Sequence, residues 1–155
     1  MATFKELKRF AIGWRFTDEK YNIVNENDFF NATINSPEKS QQKWEKHTGS
    51  NQYHLMLLPQ IFWFHLEKVG ELRLEWVEEN SDNNKKLSMI KFIENDNKIT
   101  FFWGGSYSID LDWGIFLKYW DDFCYPDDDN LIVCENKNLY FTYIDDCFST
   151  YKFKK

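Results

Sequence analysis

The segment of residues 112–124 carries the pattern that most restricts how this chain can fold. Its apolar side chains recur at intervals of three, four and seven residues, which places them on one face of an α-helix. They are Trp113, Phe116, Leu117, Trp120, Phe123 and Cys124, and the opposite face would carry Ile115, Lys118 and Asp122. Asp112 is a candidate N-cap, and Pro126 stops the pattern. We therefore predict an amphipathic helix over residues 112–124.

Period-two patterns predict strands on both sides of this helix. From about residue 70, apolar and charged residues alternate in the order Glu71, Leu72, Arg73, Leu74, Glu75 and Trp76. Further strands are predicted near 87–94 and 98–103, as a hairpin around residues 95–97, and after the helix at 131–135, 139–144 and 148–153. Asn and Asp residues at 136–138 and 145–146 mark the turns between the last three strands.

The first third of the chain has helix signals. Ser36 is a candidate N-cap, Pro37 fits the first helical position and Glu38 complements the helix dipole, while Gly49 is the matching stop. A shorter helix is predicted to begin near residue 27 or 28 and to bury Phe29, Phe30 and Ile34. With 6 glycines, 3 prolines and no linker, residues 1–155 form one predicted domain. Its fold class is α+β, with N-terminal helices packed on an antiparallel sheet and the helix 112–124 inserted between strands.

Targeting and membrane segments are not predicted. Charged residues interrupt the first ten positions, so they do not resemble a signal peptide. The most apolar stretch, residues 55–66, is broken by Pro59 and Gln60 and is too short to span a bilayer. We therefore expect a cytoplasmic protein with no membrane partner.

The candidate catalytic and metal motifs are weak, so we predict no enzyme, cofactor or metal. Neither the cysteines (Cys124, Cys134, Cys147) nor the histidines (His47, His54, His65) have a metal-ligand spacing. The triplet at 127–129 resembles the start of a calcium loop, but Ile132 replaces the required glycine. Asp110 and Asp112 have the Asp-x-Asp spacing of some metal-dependent transferases, although capping by Asp112 is favoured. Gly104 and Gly105 are interpreted as a turn or a β-bulge rather than a phosphate loop.

Acidic residues concentrate in the last third of the chain. Residues 106–155 contain 5 lysines against 10 acidic residues, a net charge of −5. Five of the acids lie within nine residues, at the predicted C-terminal end of the 112–124 helix, where the helix dipole disfavours negative charge. This charge repels phosphates, so nucleic acid is not an expected partner. A solvated turn would explain the cluster, and so would a surface for basic side chains.

The predicted partner-binding residues are this cluster, its aromatic neighbour and the acids of the last turn: Asp121, Asp122, Tyr125, Asp127, Asp128, Asp129, Asp145 and Asp146. Tyr119 is a further candidate anchor. Three aromatic clusters, at 14–16, 62–64 and 101–103, are interpreted mainly as core. As an alternative, they could line a small-molecule pocket around Trp63, Trp103 or Trp113. An unrecognised hydrolase or nuclease is a third hypothesis.

The order of motifs between residues 101 and 135 resembles a small proteobacterial family known only as a domain of unknown function. Those motifs are the aromatic run at 101–103, the stretch 107–109, Trp113 with Phe116 and Trp120, and the paired acids before the strand at 131–133. This resemblance implies no activity. By genre, a small acidic α+β domain without a visible active site is similar to the immunity proteins of bacterial toxin–immunity pairs, including those of contact-dependent growth inhibition. That likeness implies a basic toxin domain as the protein partner.

Overall fold

The helices and strands of the chain were located in a computed structural model that describes residues 2–20, 23–74 and 81–154. The helices are α1 (Phe4–Arg9), α2 (Trp14–Thr17), α3 (Pro37–Thr48), α4 (Gln60–Phe64), α5 (Ser81–Ser88), α6 (Trp113–Lys118) and α7 (Trp120–Phe123). The strands are β1 (Thr33–Ile34), β2 (Leu66–Arg73), β3 (Lys98–Trp103), β4 (Ser108–Asp112), β5 (Asn130–Cys134), β6 (Leu139–Ile144) and β7 (Cys147–Phe153). Short 3₁₀ turns lie at Glu26–Phe29, Leu55–Leu57 and Glu135–Lys137.

The strands form one antiparallel sheet in the order β1-β4-β3-β5-β6-β7-β2. Strands β5, β6 and β7 are neighbours in both chain and sheet, so short turns connect them. Strand β2 instead pairs with β7, although the two strands are far apart in the sequence, and Leu66 lies opposite Phe153. Helices and an antiparallel sheet together confirm the predicted α+β class.

Both faces of the central strands are covered by apolar side chains. Phe101 and Trp103 of β3 pack with α6 and α7, for example against Phe123. Phe102 points the other way and contacts the Trp44 ring of α3, with ring centroids 5.3 Å apart. Because apolar side chains exclude water from both faces of the central strands, β5 is buried along its whole length. Each fully buried ring of this kind stabilises the fold by about 1.5–3 kcal/mol.

Helix α3 begins and ends as predicted. The Ser36 side chain accepts a hydrogen bond from the Lys39 amide at 3.1 Å, and Pro37 is the first helical residue. Gly49 ends the helix with a φ of 69°, a left-handed conformation that glycine adopts without steric cost. The predicted shorter helix near residue 27 is the 3₁₀ turn Glu26–Phe29, which buries Phe29 but leaves Phe30 62% exposed.

The predicted helix 112–124 is two short helices that meet at Tyr119, where φ is −119° and ψ is 26°. The Tyr119 hydroxyl donates to the Asp28 carboxylate and accepts from the Asn25 amide, which fixes this residue outside the helical path. Asp112 occupies the N-cap position without a capping hydrogen bond, and its carboxylate instead pairs with Lys98 at 3.2 Å. Asp122, predicted on the polar face, is buried, as are Trp120 and Phe123 of the predicted apolar face.

The predicted strand at 87–94 is wrong. Residues 81–88 form α5, residues 91–92 and 95–96 form turns, and β3 pairs with β4 instead. A short apolar run fits a helix end as well as a strand, and here Leu87 is buried from the end of α5. The strand predicted at 98–103 is confirmed as β3. The glycine turn is also confirmed: Gly104 has a φ of 65° on the way to β4.

Strand β2 begins at Leu66, earlier than the alternation suggested. Glu71 and Arg73 are exposed and Leu74 is buried, as predicted, while Glu75 and Trp76 lie outside the described residues. The last three predicted strands are confirmed as β5, β6 and β7.

Candidate functional site

The acidic segment after α7 is held to the rest of the fold by an arginine from α2. Arg15 donates to both carboxylate oxygens of Asp128, with N–O distances of 2.6 and 3.1 Å, and to the backbone carbonyl of Phe123 at 3.3 Å. The two-pronged geometry is the strongest form of an arginine–carboxylate pair. Sequence reasoning missed Arg15 because it lies far from the acids in the chain, and its only signal was two flanking aromatic residues.

Two aromatic rings flank this ion pair. The guanidinium carbon of Arg15 lies 3.9 Å from the centre of the Tyr125 ring, a cation–π contact. The Trp14 ring meets the edge of Tyr125 with centroids 5.8 Å apart and is 40% exposed. The backbone amide of Tyr125 donates to Asp128 at 3.0 Å. Tyr125 is therefore fixed in position, with a partly exposed tryptophan beside it.

Asp122 differs from the other predicted site residues because it is only 5% exposed. Burial, aided by the neighbouring Asp121 carboxylate and opposed by the Arg15 charge, raises the pKa of Asp122 to about 7. Near neutral pH this carboxyl is protonated in a large fraction of molecules. Asp122 is thus part of the packing under the segment rather than a contact residue.

Three of the predicted acids are exposed or half-buried and form no ion pair with a described lysine or arginine. Asp127 and Asp145 are exposed, and Asp129 is half-buried. Burial raises the pKa of Asp129, the Asp145 and Asp128 charges add to the effect, and His54 opposes it. Within the described residues, no lysine or arginine nitrogen lies within 4.0 Å of these three carboxylates. We call Asp121, Asp127, Asp129 and Asp145, with the rings of Trp14 and Tyr125, the acidic face.

The two acids of the turn between β6 and β7 have different environments. Asp145 and Asp146 have φ values of 49° and 63°, the left-handed pair of a two-residue type I′ turn. Asp146 turns inward: its carboxylate accepts from the Tyr143 hydroxyl at 3.0 Å and its carbonyl accepts from the Leu74 amide at 2.7 Å. Asp145 points outward, and its charge acts on Asp129, so the turn extends the acidic face.

The other sequence motifs occupy structural positions. Asp110 of β4 accepts hydrogen bonds from Lys43 at 2.5 Å, Thr100 at 2.6 Å and Asn35 at 3.3 Å, which ties α3 to the sheet. Burial raises the pKa of Cys124 well above its usual range, so its thiol stays protonated. Across residues 2–20, 23–74 and 81–154, no cluster of three or more His, Cys, Asp or Glu side chains is arranged to hold a metal ion.

The tryptophans named for a small-molecule pocket are in different surroundings. Trp103 and Trp113 are core residues. Trp63 is half-buried against Tyr151 and borders a shallow surface depression with Ile61 and Phe64. No helix in the described part of the chain combines the length and apolar character needed to cross a bilayer.

Comparison with protein families identifies the class to which this α+β chain belongs. A family model described as "Protein of unknown function (DUF2947)" matches residues 4–151, so the chain is a member of that family. The match extends the resemblance seen at 101–135 to nearly the whole chain. No curated protein and no solved structure matched the chain.

Proposed function

We propose that this protein is a non-enzymatic binding protein that holds a basic protein partner on its acidic face. In its specific form, the proposal is an immunity protein that acts in the cytoplasm and neutralises a basic toxin domain. The small acidic α+β fold is compatible with this role.

The observation that carries the proposal is that one acid of the cluster is ion-paired within the fold while others are not. Asp128 is neutralised by Arg15, and this pair fixes the backbone of the segment. Asp127 and Asp145 are exposed and Asp129 is half-buried, and in the described structure none of the three carboxylates is paired with a lysine or arginine. A preorganised group of like charges costs less free energy to bind than a mobile one, because little ordering is left to occur at association.

The rings of Trp14 and Tyr125 support the same proposal. Tryptophan and tyrosine are enriched among the residues that contribute most to protein–protein binding. Here they adjoin the acids, so one partner could bury the exposed part of Trp14 while placing lysines or arginines on the carboxylates. Complementary charge speeds encounter, and burial of an aromatic ring slows release.

A growth-protection assay tests the proposal. The likeness to toxin–immunity pairs implies that the gene immediately upstream encodes a protein with a toxic C-terminal domain. That domain is expressed in a laboratory bacterium with wild-type protein or with D127K/D129K/D145K. The matched control E67K/E94K/D96K reverses three exposed acids outside the face. We expect protection from the wild type and the control and loss of protection with the face variant. A harmless upstream domain, or protection by all three proteins, would refute the immunity role.

A further inference from the structure

An uncharged segment covers part of one face of the sheet and leaves apolar side chains on its outer side. Residues 55–64, which include the 3₁₀ turn Leu55–Leu57 and α4, contain no charged residue. Three of their side chains are buried and pack against the strands: Leu55, Leu58 and Phe62. Four others are at least 60% exposed: Met56, Leu57, Ile61 and Phe64. We call these four side chains the apolar stripe, which shares no residue with the acidic face.

The apolar stripe is large enough to form the centre of a protein interface. Four side chains of this size, exposed to this degree, present on the order of 450 Å² of apolar surface, and the largest patch on a typical monomer is about 300–600 Å² and often functional. A standard interface buries about 800 Å² on each partner, of which about 57% is apolar. Each partner therefore contributes about 450 Å² of apolar surface, which is the amount that the stripe supplies.

The two ends of the segment carry opposite charges. At its start, the hydroxyl of Tyr53 donates to the exposed carboxylate of Glu45 at 2.8 Å. At its end, the ammonium nitrogen of the exposed Lys154 lies 4.9 Å from the centre of the Phe64 ring. Within the described residues, neither Glu45 nor Lys154 forms an ion pair. Each end therefore has a charge that a partner can neutralise.

A second copy of the chain is complementary to this surface. The interface of a symmetric dimer must be complementary to itself, and an uncharged stripe with opposite charges at its two ends meets that condition. When two stripes pack antiparallel about a two-fold axis, apolar side chains meet apolar side chains, and Glu45 of each copy lies beside Lys154 of the other. We propose that the protein forms a symmetric homodimer through the apolar stripe in this antiparallel arrangement.

The charge of the chain favours a second copy over a membrane as the occupant of the stripe. The net charge is −6, so the negative surface potential of an anionic bilayer repels the molecule as a whole. In the antiparallel dimer, by contrast, the charges at the ends of the stripe attract one another. The inference is independent of the function proposed above, and its test uses this protein alone.

Sedimentation equilibrium of the full-length protein tests the proposal. We expect the wild type to dimerise with a Kd in the micromolar range or below. I61Q/F64Q, which removes two side chains of the stripe, should weaken dimerisation about 100-fold or more. The matched control F30Q/M89Q removes two equally exposed apolar side chains outside the stripe and should dimerise like the wild type. Because all four positions are exposed, the variants should fold, and urea unfolding checks this.

Exchange of the charges at the ends of the stripe tests the antiparallel arrangement. E45K and K154E each place like charges beside one another in a homodimer, so each should weaken dimerisation about fivefold to tenfold. In an equimolar mixture of the two variants, both contacts again join opposite charges. The mixture should therefore form heterodimers with about the wild-type affinity, a result that loss of folding in either variant would not produce.

Several results would overturn the proposal. A wild type that stays monomeric up to about 500 µM, or I61Q/F64Q that dimerises like the wild type, rules out a dimer through the stripe. A mixture of E45K and K154E that associates no better than either variant alone rules out the antiparallel arrangement. Flotation with vesicles of neutral and of anionic phospholipid identifies the other occupant: a monomeric wild type that binds vesicles through Ile61 and Phe64 has a lipid surface, not a second copy, on the stripe.

Discussion

Arg15 of α2 and Asp128 of the acidic segment form a two-pronged ion pair, with nitrogen–oxygen distances of 2.6 and 3.1 Å. Both side chains are largely shielded from solvent. This pair connects the N-terminal helices to the loop before β5, and Tyr125 covers it from one side. Repulsion among the neighbouring carboxylates of this loop would loosen it. The ion pair opposes that repulsion and holds the loop against α2.

Removal of this arginine should destabilise the protein. R15M leaves Asp128 shielded and unpaired, so the free energy of unfolding should fall by about 3 kcal/mol. Urea unfolding followed by tryptophan fluorescence measures the change. K8M, at an exposed position of α1, should stay within about 0.5 kcal/mol of wild type. In R15M/D128N the loss should be smaller than the sum of the two single losses; strict additivity would mean that the pair is not coupled.

Asp122 should make stability depend on pH. Its folded-state pKa of about 7 lies above the unfolded value of about 3.9, so its contribution is fully present below pH ~4 and is lost as pH rises through 7. D122N stays neutral and escapes this loss. Unfolding measurements should therefore find D122N close to wild type at pH 4 and more stable by about 1 kcal/mol or more at pH 8. A difference that is independent of pH would disprove the assignment, and D127N, at an exposed site, is the control.

The β6–β7 turn should accept asparagine at position 145 but not valine. Asn tolerates the left-handed φ of 49°, whereas a β-branched side chain does not. We expect D145N to retain wild-type stability and D145V to lose about 1–2 kcal/mol. Thermal and urea unfolding compare the two, and equal stability would argue against the type I′ geometry. D145N also removes one charge from the acidic face without altering the turn.

The three thiols should differ in reactivity. Cys124 and Cys134 are buried, and burial raises the pKa of both, whereas Cys147 is only half-buried. A thiol reagent should therefore label the native protein at Cys147 first and reach the other two only on unfolding. In C147S, rapid native labelling should disappear. Rapid labelling at Cys124 would contradict the packing of α7.

Local signals explain which elements were predictable. Helix α3 carries its start and stop at Ser36 and Gly49, and the last three strands are separated by Asn and Asp turns. Strand β4 was not predicted, although Ser108–Asp112 alternates polar and apolar residues: the pattern is only five residues long, and its acids were interpreted as a motif and a helix cap. The break at Tyr119 depends on Asp28 and Asn25, which lie about 90 residues earlier. Such long-range contacts leave no periodic signal.

The candidate site was also predictable from the sequence only in part. The cluster of acids was visible in the sequence because it is contiguous, and Asp127, Asp129 and Asp145 do lie exposed or half-exposed near one another. Their different environments were not visible: Asp122 is buried, Asp128 is paired and Asp146 is bonded to its own turn. Arg15, which decides this arrangement, is brought to the acids only by the tertiary fold.

The affinity between the purified protein and the purified upstream-encoded domain, measured by calorimetry at low and moderate salt, tests the central claim most directly. The account predicts that D127K/D129K/D145K binds at least about 100-fold more weakly than wild type, that E67K/E94K/D96K binds like wild type, and that salt weakens the wild-type complex. Equal affinity of the face variant and the wild type, or an affinity that salt leaves unchanged, would contradict binding through the acidic face.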